Sequence, residues 1–348
     1  MFAPVGRRRP EIALVSLATT PGLRHADAAL AAALVDVGCR VRVRPVALGR
    51  AGALRRHIAV TDLVESVAAA RVARGVSGAD AVIASGATTA FLLAEDPPLA
   101  VWFDSPSALN RPGAAGAWQR AAERRAARRA ALLLPWGVAA AEAAAGLGAR
   151  AMVRLPVPVA EVSAAGQRDI DAVAYAGWPW KRGLDVLCAA WGRTGRGRLV
   201  IGGVEAARGR AWLARCGVPE PPGVRWAGLL GREAWLALVA RARVFVNASR
   251  REDYGIAQLE ALSAGTPLVT VPSPGAYEAL GLARELAPAL VDADLVRALA
   301  AGLALDAGQR EEYARRARER LAPYRPEAMR ERLREEVLPR LLAPGGRP

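Results

Sequence analysis

Along this chain, short apolar runs alternate with longer stretches in which apolar residues recur every three or four positions. In the first half the runs are IALVSL (12–17), VRVRPV (41–46), ADAVIAS (79–85), LAVWF (99–103), ALLLP (131–135) and MVRLPV (152–157). Helical periodicity fills intervals near 25–37, 61–74 and 117–130. A strand-sized run followed by a helix-sized one, repeated, predicts βα units and a parallel sheet. The second half restarts the pattern with DAVAYAG (171–177), RLVIGG (198–203), VRWAGLL (224–230), VFVNAS (244–249) and PLVTVP (267–272), each with a helix after it.

Between the halves, LPVPVAEVSAAGQRD is proline-containing, polar and aperiodic, which places a linker at 156–169. The pattern predicts an α/β protein of two Rossmann-like domains, 1–155 and 170–322, facing each other across a hinged cleft. Residues 323–348 have helical periodicity broken at Pro323 and Pro326, a geometry that redirects the last helix back to the first domain.

Composition narrows the class. At 348 residues and 53% hydrophobic content the chain has material for two cores. No run of about 18 uncharged apolar residues reads as membrane-spanning. The start, MFAPVGRRRPEIALVSLATTPG, reads as a first core strand and not a signal peptide, because Pro10 and Glu11 separate the basic patch from the apolar run. Three scattered cysteines, Cys39, Cys188 and Cys216, offer neither a disulfide framework nor a metal site, so a reduced, cytoplasmic protein is the expectation. Histidine-based metal spacing is absent as well, and no metal or cofactor is expected.

The net charge of +15 invites a nucleic-acid reading. The arginines are dispersed, however, and aromatics make up only 5% without basic–aromatic interleaving, so no nucleic acid is expected as partner. Of the 48 basic residues only Lys181 is lysine. With so much alanine, the arginine excess reads as coding bias, and the single lysine becomes the residue to explain.

The chemistry concentrates in SRREDYGIAQLEALSAGTP (249–267), which carries Glu252 in a glycine-containing turn and Glu260 in an apolar helical run. A helix starting near Gly255 presents free N–H groups suited to a phosphate. Asp253 reads equally as that helix's N-cap, with Glu252 complementing its dipole. Glu260, among Ile256, Leu259, Leu262 and Ala264, is expected to be buried and so to need donors, either sugar hydroxyls or a core arginine. Eight residues of spacing do not bring the two carboxylates onto one helix face. Lys181 and Arg182 lie in AGWPWKRG, at the carboxyl end of a predicted strand, where they either neutralise a diphosphate or form a solvated surface pair. Asp104, in VWFDSPS, ends a strand at the corresponding edge of the first domain and is otherwise a turn former. His25 and His57 are the only histidines, and His25 reads as cap or packing. The helix WQRAAERRAARRA (118–130) aligns Arg120, Arg124 and Arg128, with Arg125 and Arg129 beside them. It reads as a solvated face or as a peripheral contact with anionic membrane at the inner surface.

These residues together resemble a known family. EDYGIAQLEALSAGTPLV is similar to the E-x7-E signature of family-4 retaining glycosyltransferases with the GT-B fold, matched here by Glu252, Asp253, Tyr254, Gly255, Leu259, Glu260, Ala261, Gly265 and Pro267. AGWPWKRGLDVL resembles that family's phosphate-binding loop, and RLVIGG its glycine-ended second strand. VRWAGLLGREAWLAL, with Gly228, resembles the segment beside the nucleotide base, and PGAYEAL, with Glu278, its Gly-x-x-Glu loop. The first half resembles the family only in strand order and in VWFDSPS. Two positions depart from the pattern: Trp178 stands where an arginine is frequent, and Asp104 where a histidine is expected.

The resemblance implies that Glu252 contacts the donor sugar, Glu260 holds ribose hydroxyls, and Lys181, with Arg182, balances the diphosphate. The N–H groups of Gly255 and Ile256 would face the donor, and Gly22, in the loop TTPG (19–22), would lie in a mobile loop over the phosphates. The implied activity is a retaining, metal-independent transfer from a UDP-, GDP- or ADP-linked sugar to a hydroxyl acceptor (glycan, lipid-linked or small molecule). An inactive GT-B partner protein, an epimerase and a basic nucleic-acid-binding protein are the competing readings. The small supply of acid–base groups counts against the epimerase, and the glutamate and lysine constellation against the nucleic-acid binder.

Overall fold

The structure, a computed structural model, describes residues 8–49, 58–76, 78–162, 166–194 and 197–343, so His57 lies outside the described residues, as does 163–165 of the predicted linker. The chain forms two units, Met1–Pro158 with Pro326–Pro348, and Val159–Arg325.

The first unit holds five strands: β1 (Glu11–Ser16), β2 (Arg40–Pro45), β3 (Ala81–Ser85), β4 (Leu99–Phe103) and β5 (Leu132–Pro135). They pair in parallel in the order β2-β1-β3-β4-β5. Strands β3 and β4 are buried at every position, which is why they read as unbroken apolar runs. The edge strand β2 alternates valine with arginine and keeps its arginines at or near the surface. Around the sheet lie α1 (Pro21–Asp36), α2 (Ile58–Ala73), α3 (Ala87–Ala90), α4 (Ser107–Asn110), α5 (Ala117–Arg129) and α6 (Val138–Ala144).

Three expectations need correction here. Helix α1 begins at Pro21, not near His25, because Pro21 suits the first helical position and Thr20 accepts a hydrogen bond from the Leu23 N–H at 3.2 Å. Gly22 therefore sits in the first helical turn and not in a loop. The run MVRLPV is bridged to the sheet at Met152 and Leu133 in place of forming a sixth strand, with the Val153 and Leu155 N–H groups donating to the carbonyls of Leu133 and Pro135 at 3.0 and 2.9 Å. Pro135, at the end of β5, has no N–H to return the next bond of the ladder. In α5, Arg120 donates to the carbonyl of Gly113 at 2.8 Å and Arg129 to that of Phe91 at 2.8 Å, so only Arg124, Arg125 and Arg128 form an exposed stripe.

Helix α5 also carries a buried carboxylate. Glu123 accepts the Ser107 N–H on both oxygens, at 3.0 and 2.9 Å, at the start of α4. Burial outweighs that backbone hydrogen bond and pushes Glu123 up to about 7. A carboxyl whose folded pKa is raised favours the fold below its unfolded pKa and loses that advantage as pH rises through the folded value. Glu123→Gln keeps an acceptor for Ser107 without a charge. Between pH 4.5 and 7 the wild type should lose stability relative to this variant, by on the order of 3 kcal/mol at most. Thermal unfolding across that range checks it, and parallel profiles for the two proteins would refute it.

The second unit has β6 (Ile170–Tyr175), β7 (Leu199–Gly202), β8 (Val224–Gly228), β9 (Ala242–Asn247) and β10 (Leu268–Thr270). Their order is β10-β9-β6-β7-β8, again parallel. Its helices are α7 (Leu184–Thr194), α8 (Ala206–Arg215), α9 (Arg232–Ala240), α10 (Ile256–Ser263), α11 (Glu278–Leu286), α12 (Leu295–Ala304) and α13 (Ala307–Arg320). From β6 the chain proceeds outward to β7 and β8 on one side, then returns to β9 and β10 on the other. The strand order thus reverses between β6 and β9, and the loops after these two neighbouring strands lie at the carboxyl edge where α/β sheets bind ligands.

The terminal segment is helical in pieces: α14 (Pro326–Arg332), a π-type turn (Leu333–Val337) and α15 (Leu338–Leu341). Pro323 falls in a short 3₁₀ turn, and Pro326 starts α14. Met329, Leu333, Val337 and Leu341 recur every four residues and are all buried, and Arg330 pairs with Asp36 of α1 at 3.2 Å.

Candidate active site at the carboxyl edge of the second sheet

The loop 176–183 after β6 and the loop 248–255 after β9 are locked together. Arg250 N–H donates to the Lys181 carbonyl at 2.9 Å, and the Arg250 guanidinium reaches the Trp180 carbonyl at 2.8 Å. Gly183 has φ +60°, and a Cβ there would stand 2.0 Å from the Ala248 carbonyl oxygen, so only glycine admits this approach. Three ion pairs complete the lock: Lys181–Asp253 at 2.6 Å, Arg182–Glu252, and Arg250–Asp185 at 2.5 Å.

Glu252 is buried, at 4% exposure. Besides Arg182 it accepts from Gln258 Nε2 at 2.8 Å and from Ser249 Oγ at 3.4 Å, and its N–H donates to the Pro274 carbonyl at 3.0 Å. Arg182 also lies over the Tyr175 ring, 5.7 Å from its centroid. Asp253 does not cap α10: the capping position is Gly255, at φ +96°, with no side-chain cap. Burial acts to raise the Asp253 pKa, but the Lys181 ammonium, helped by Arg251 and Arg182, outweighs it and holds this carboxyl below the usual range. The N-terminus of α10, with Ile256 first, thus opens directly behind two cation–carboxylate pairs.

Beneath lies a floor of buried polar groups. Asn247 Nδ2 donates to the Tyr277 hydroxyl at 3.1 Å, and Ser249 Oγ donates to Asn247 Oδ1 at 2.6 Å. Burial raises the Tyr277 phenol above its ordinary range, so it stays protonated. Glu278 opens α11. Its N–H donates to the Tyr254 carbonyl at 3.1 Å, and its carboxylate takes the Tyr324 hydroxyl at 2.5 Å.

Glu260, at 3% exposure, meets the arginine that its apolar helix demands. Arg232, the first residue of α9, donates to one carboxylate oxygen, and the Trp235 indole N–H donates to the other at 3.0 Å. Burial pushes the Glu260 pKa up, against the pull of Arg232 and the indole. Trp235 in turn packs edge-on against Tyr175, centroids 5.5 Å apart, linking Glu260's surroundings to the ring beneath Arg182. Gly228 precedes Arg232 by one short loop and has φ +69°.

The second unit so gathers Lys181, Arg182, Glu252, Gly255, Ile256, Glu260, Gly228 and Glu278 on one edge of one sheet. Asp104, following β4, and Gly22, in α1, belong to the first unit. Sequence reasoning missed Arg232, Trp235, Gln258 and Asn247. One signal was available: an arginine at the first position of a helix opposes the dipole there and calls for a carboxylate partner.

This arrangement has counterparts. Residues 170–305, spanning the whole constellation, match the family described as Glycosyl transferases group 1. No curated protein matches the chain by sequence. Among solved structures, a sucrose-phosphate synthase from Thermosynechococcus elongatus is similar over 93% of this chain and 97% of its own, with TM-score 0.72 at 16% identity. HepE of Anabaena, solved with UDP-glucose, is similar over 94% and 99%, with TM-score 0.71 at 14% identity. The calicheamicin glycosyltransferase CalG4 is similar over 97% and 100%, with TM-score 0.57 at 16% identity. At such identities the likeness shows the fold alone, which is GT-B. Among the described residues no helix is long and apolar enough to cross a membrane.

Proposed function

We propose that the protein is a retaining, metal-independent glycosyltransferase moving a sugar from a nucleotide-diphosphate sugar to a hydroxyl acceptor. The observation that carries this reading is the pair of buried carboxylates, each with its own arginine, on either side of the α10 N-terminus: Glu252 with Arg182, and Glu260 with Arg232. Lys181, Arg182 and the N–H groups of Gly255 and Ile256 supply positive charge for a diphosphate. Glu260 has lone pairs beyond those taken by Arg232 and Trp235, and these accept ribose hydroxyls. The loop at Gly228 lies beside the base, and Glu252 holds the sugar. Glu278 supports the loop that carries it. HepE's complexes with UDP and with UDP-glucose make uridine-linked donors the first to test.

In the reaction, the bond from the anomeric carbon to the diphosphate oxygen breaks and its electron pair leaves with the diphosphate. The acceptor hydroxyl bonds to the oxocarbenium-like carbon on the same face, and its proton passes to the departing diphosphate. Binding is tested by titrating UDP, GDP and ADP, without metal, into wild type, Glu260→Ala and Lys181→Ala. One nucleotide should bind, and both variants should weaken it by about ten-fold or more, the magnitude expected for losing a charge-assisted contact. Absence of binding by all three at millimolar concentration would overturn the reading.

A further inference from the structure

Every exposed large apolar side chain among the described residues of the second unit follows either β6 or β8: Trp178, Trp180, Val186, Leu229 and Leu230. The two tryptophans are the largest. Trp178 is 58% exposed and Trp180 49%, whereas Trp191 and Trp235 of the same unit are buried. Their ring centroids lie 6.2 Å apart at 47°. Exposed indoles on a loop ordinarily signal something to be bound.

This loop is held firmly. Arg182 N–H donates to the Trp178 carbonyl at 2.9 Å, Leu184 N–H to the Pro179 carbonyl at 3.0 Å, and Gly183 N–H to the Trp180 carbonyl at 3.2 Å. Gly177, before the pair, has Tyr175 where a Cβ would be, 2.6 Å away. Pro179 fixes the backbone between them. The indoles are thus displayed on a backbone that is already in place, which lowers the cost of ordering when something binds.

Position selects the partner. The indoles share the loop 176–183 with Lys181 and Arg182, the cations of the candidate active site, and the loop after β9 adds Arg250 and Arg251, the latter sharing Asp253 with Lys181. A pyranose ring suits that place, since one face of C–H bonds can lie on an indole while its rim of hydroxyls reaches the charged groups beside it. We infer that Trp178 and Trp180 form a saccharide subsite that stacks a pyranose ring, from the donor or from the acceptor. The inference rests on the sugar-transfer reading and extends it to two side chains that reading does not use.

Calorimetric titrations of wild type and of Trp178→Ala/Trp180→Ala decide it, with UDP, UDP-glucose, and the neutral disaccharides maltose, lactose and chitobiose. UDP affinity should agree within two-fold, and melting temperatures should match, because the indoles are exposed. If the ring belongs to the donor, UDP-glucose binding falls at least ten-fold in the variant. If it belongs to the acceptor, UDP-glucose is unaffected and the binding of a disaccharide in the presence of UDP falls at least ten-fold. Disaccharide binding that depends on the indoles in a wild type unable to bind UDP would sink the donor site and leave the subsite standing. Unchanged binding of UDP-glucose and of all disaccharides would overturn the subsite, as would their failure to bind wild type. So would loss in the variant of binding to phosphatidylserine vesicles without any saccharide effect.

Discussion

Replacing Arg182 by methionine is expected to reduce sugar transfer by about two to three orders of magnitude, the range for removing one preorganised group that stabilises transition-state charge. Arg182 is held in place before any ligand arrives, between the Glu252 carboxylate and the Tyr175 ring. On the proposed reading its charge is therefore already in place when the diphosphate leaves. The same substitution strands Glu252, which is 4% exposed, with Gln258, Ser249 and the Asp253 N–H as donors and no cation. Breaking a buried pair in this way costs about 3–5 kcal/mol. For a protein of this size each kcal/mol lowers the melting temperature by roughly 2–4 °C. Arg182→Met/Glu252→Gln separates the two effects, because it removes the stranded charge without restoring the cation. Its melting temperature should recover while transfer stays low. Recovery of transfer in the double variant would show that Arg182 only neutralises Glu252.

The second large effect is expected at Gly183. An added Cβ would meet the Ala248 carbonyl oxygen at 2.0 Å, on a backbone with φ +60°. Gly183→Ala must push the loop after β6 away from the loop after β9, opening the Lys181, Arg182 and Arg250 pairs together. Backbone strain and lost pairs combine to a destabilisation of about 3 kcal/mol or more, with donor binding lost in the same variant. Gly217→Ala is the control: its φ is +67°, yet a Cβ there has nothing within 4 Å. That variant should show only the left-handed penalty, roughly 1–2 kcal/mol, with nucleotide affinity intact. Equal melting temperatures for the two variants would mean that contact with Ala248 does not hold the loops.

Much of this was legible in the order of residues. Strand and helix are short-range properties: side-chain alternation, apolar period and punctuation by proline and glycine fix them within a dozen residues. The runs from Ile170, Leu199, Val224, Ala242 and Leu268 therefore became strands close to where the pattern placed them. The start of α1 was less legible because Thr20 and Pro21 cap that helix ahead of its apolar periodicity. Met152–Val157 misled because one apolar run serves equally as a sheet strand or as an extended segment with a single bridge.

By itself, the sequence determined that the fold is two βα-repeat units and that Glu252, Glu260 and Lys181 needed explanation, since each lies where local burial or helix chemistry makes a charge conspicuous. Only the tertiary structure decided which charges meet. Arg182 and Glu252 are 70 residues apart, and Arg232 and Glu260 are 28 apart. The first pairing follows from a sheet order that sets β9 beside β6 and from the close approach that Gly183 permits, the second from α9 packing against α10, and no local pattern encodes either. It was likewise tertiary packing that buried Trp191 and Trp235 and left Trp178 and Trp180 in solvent. An indole's exposure depends on what the rest of the chain places over it.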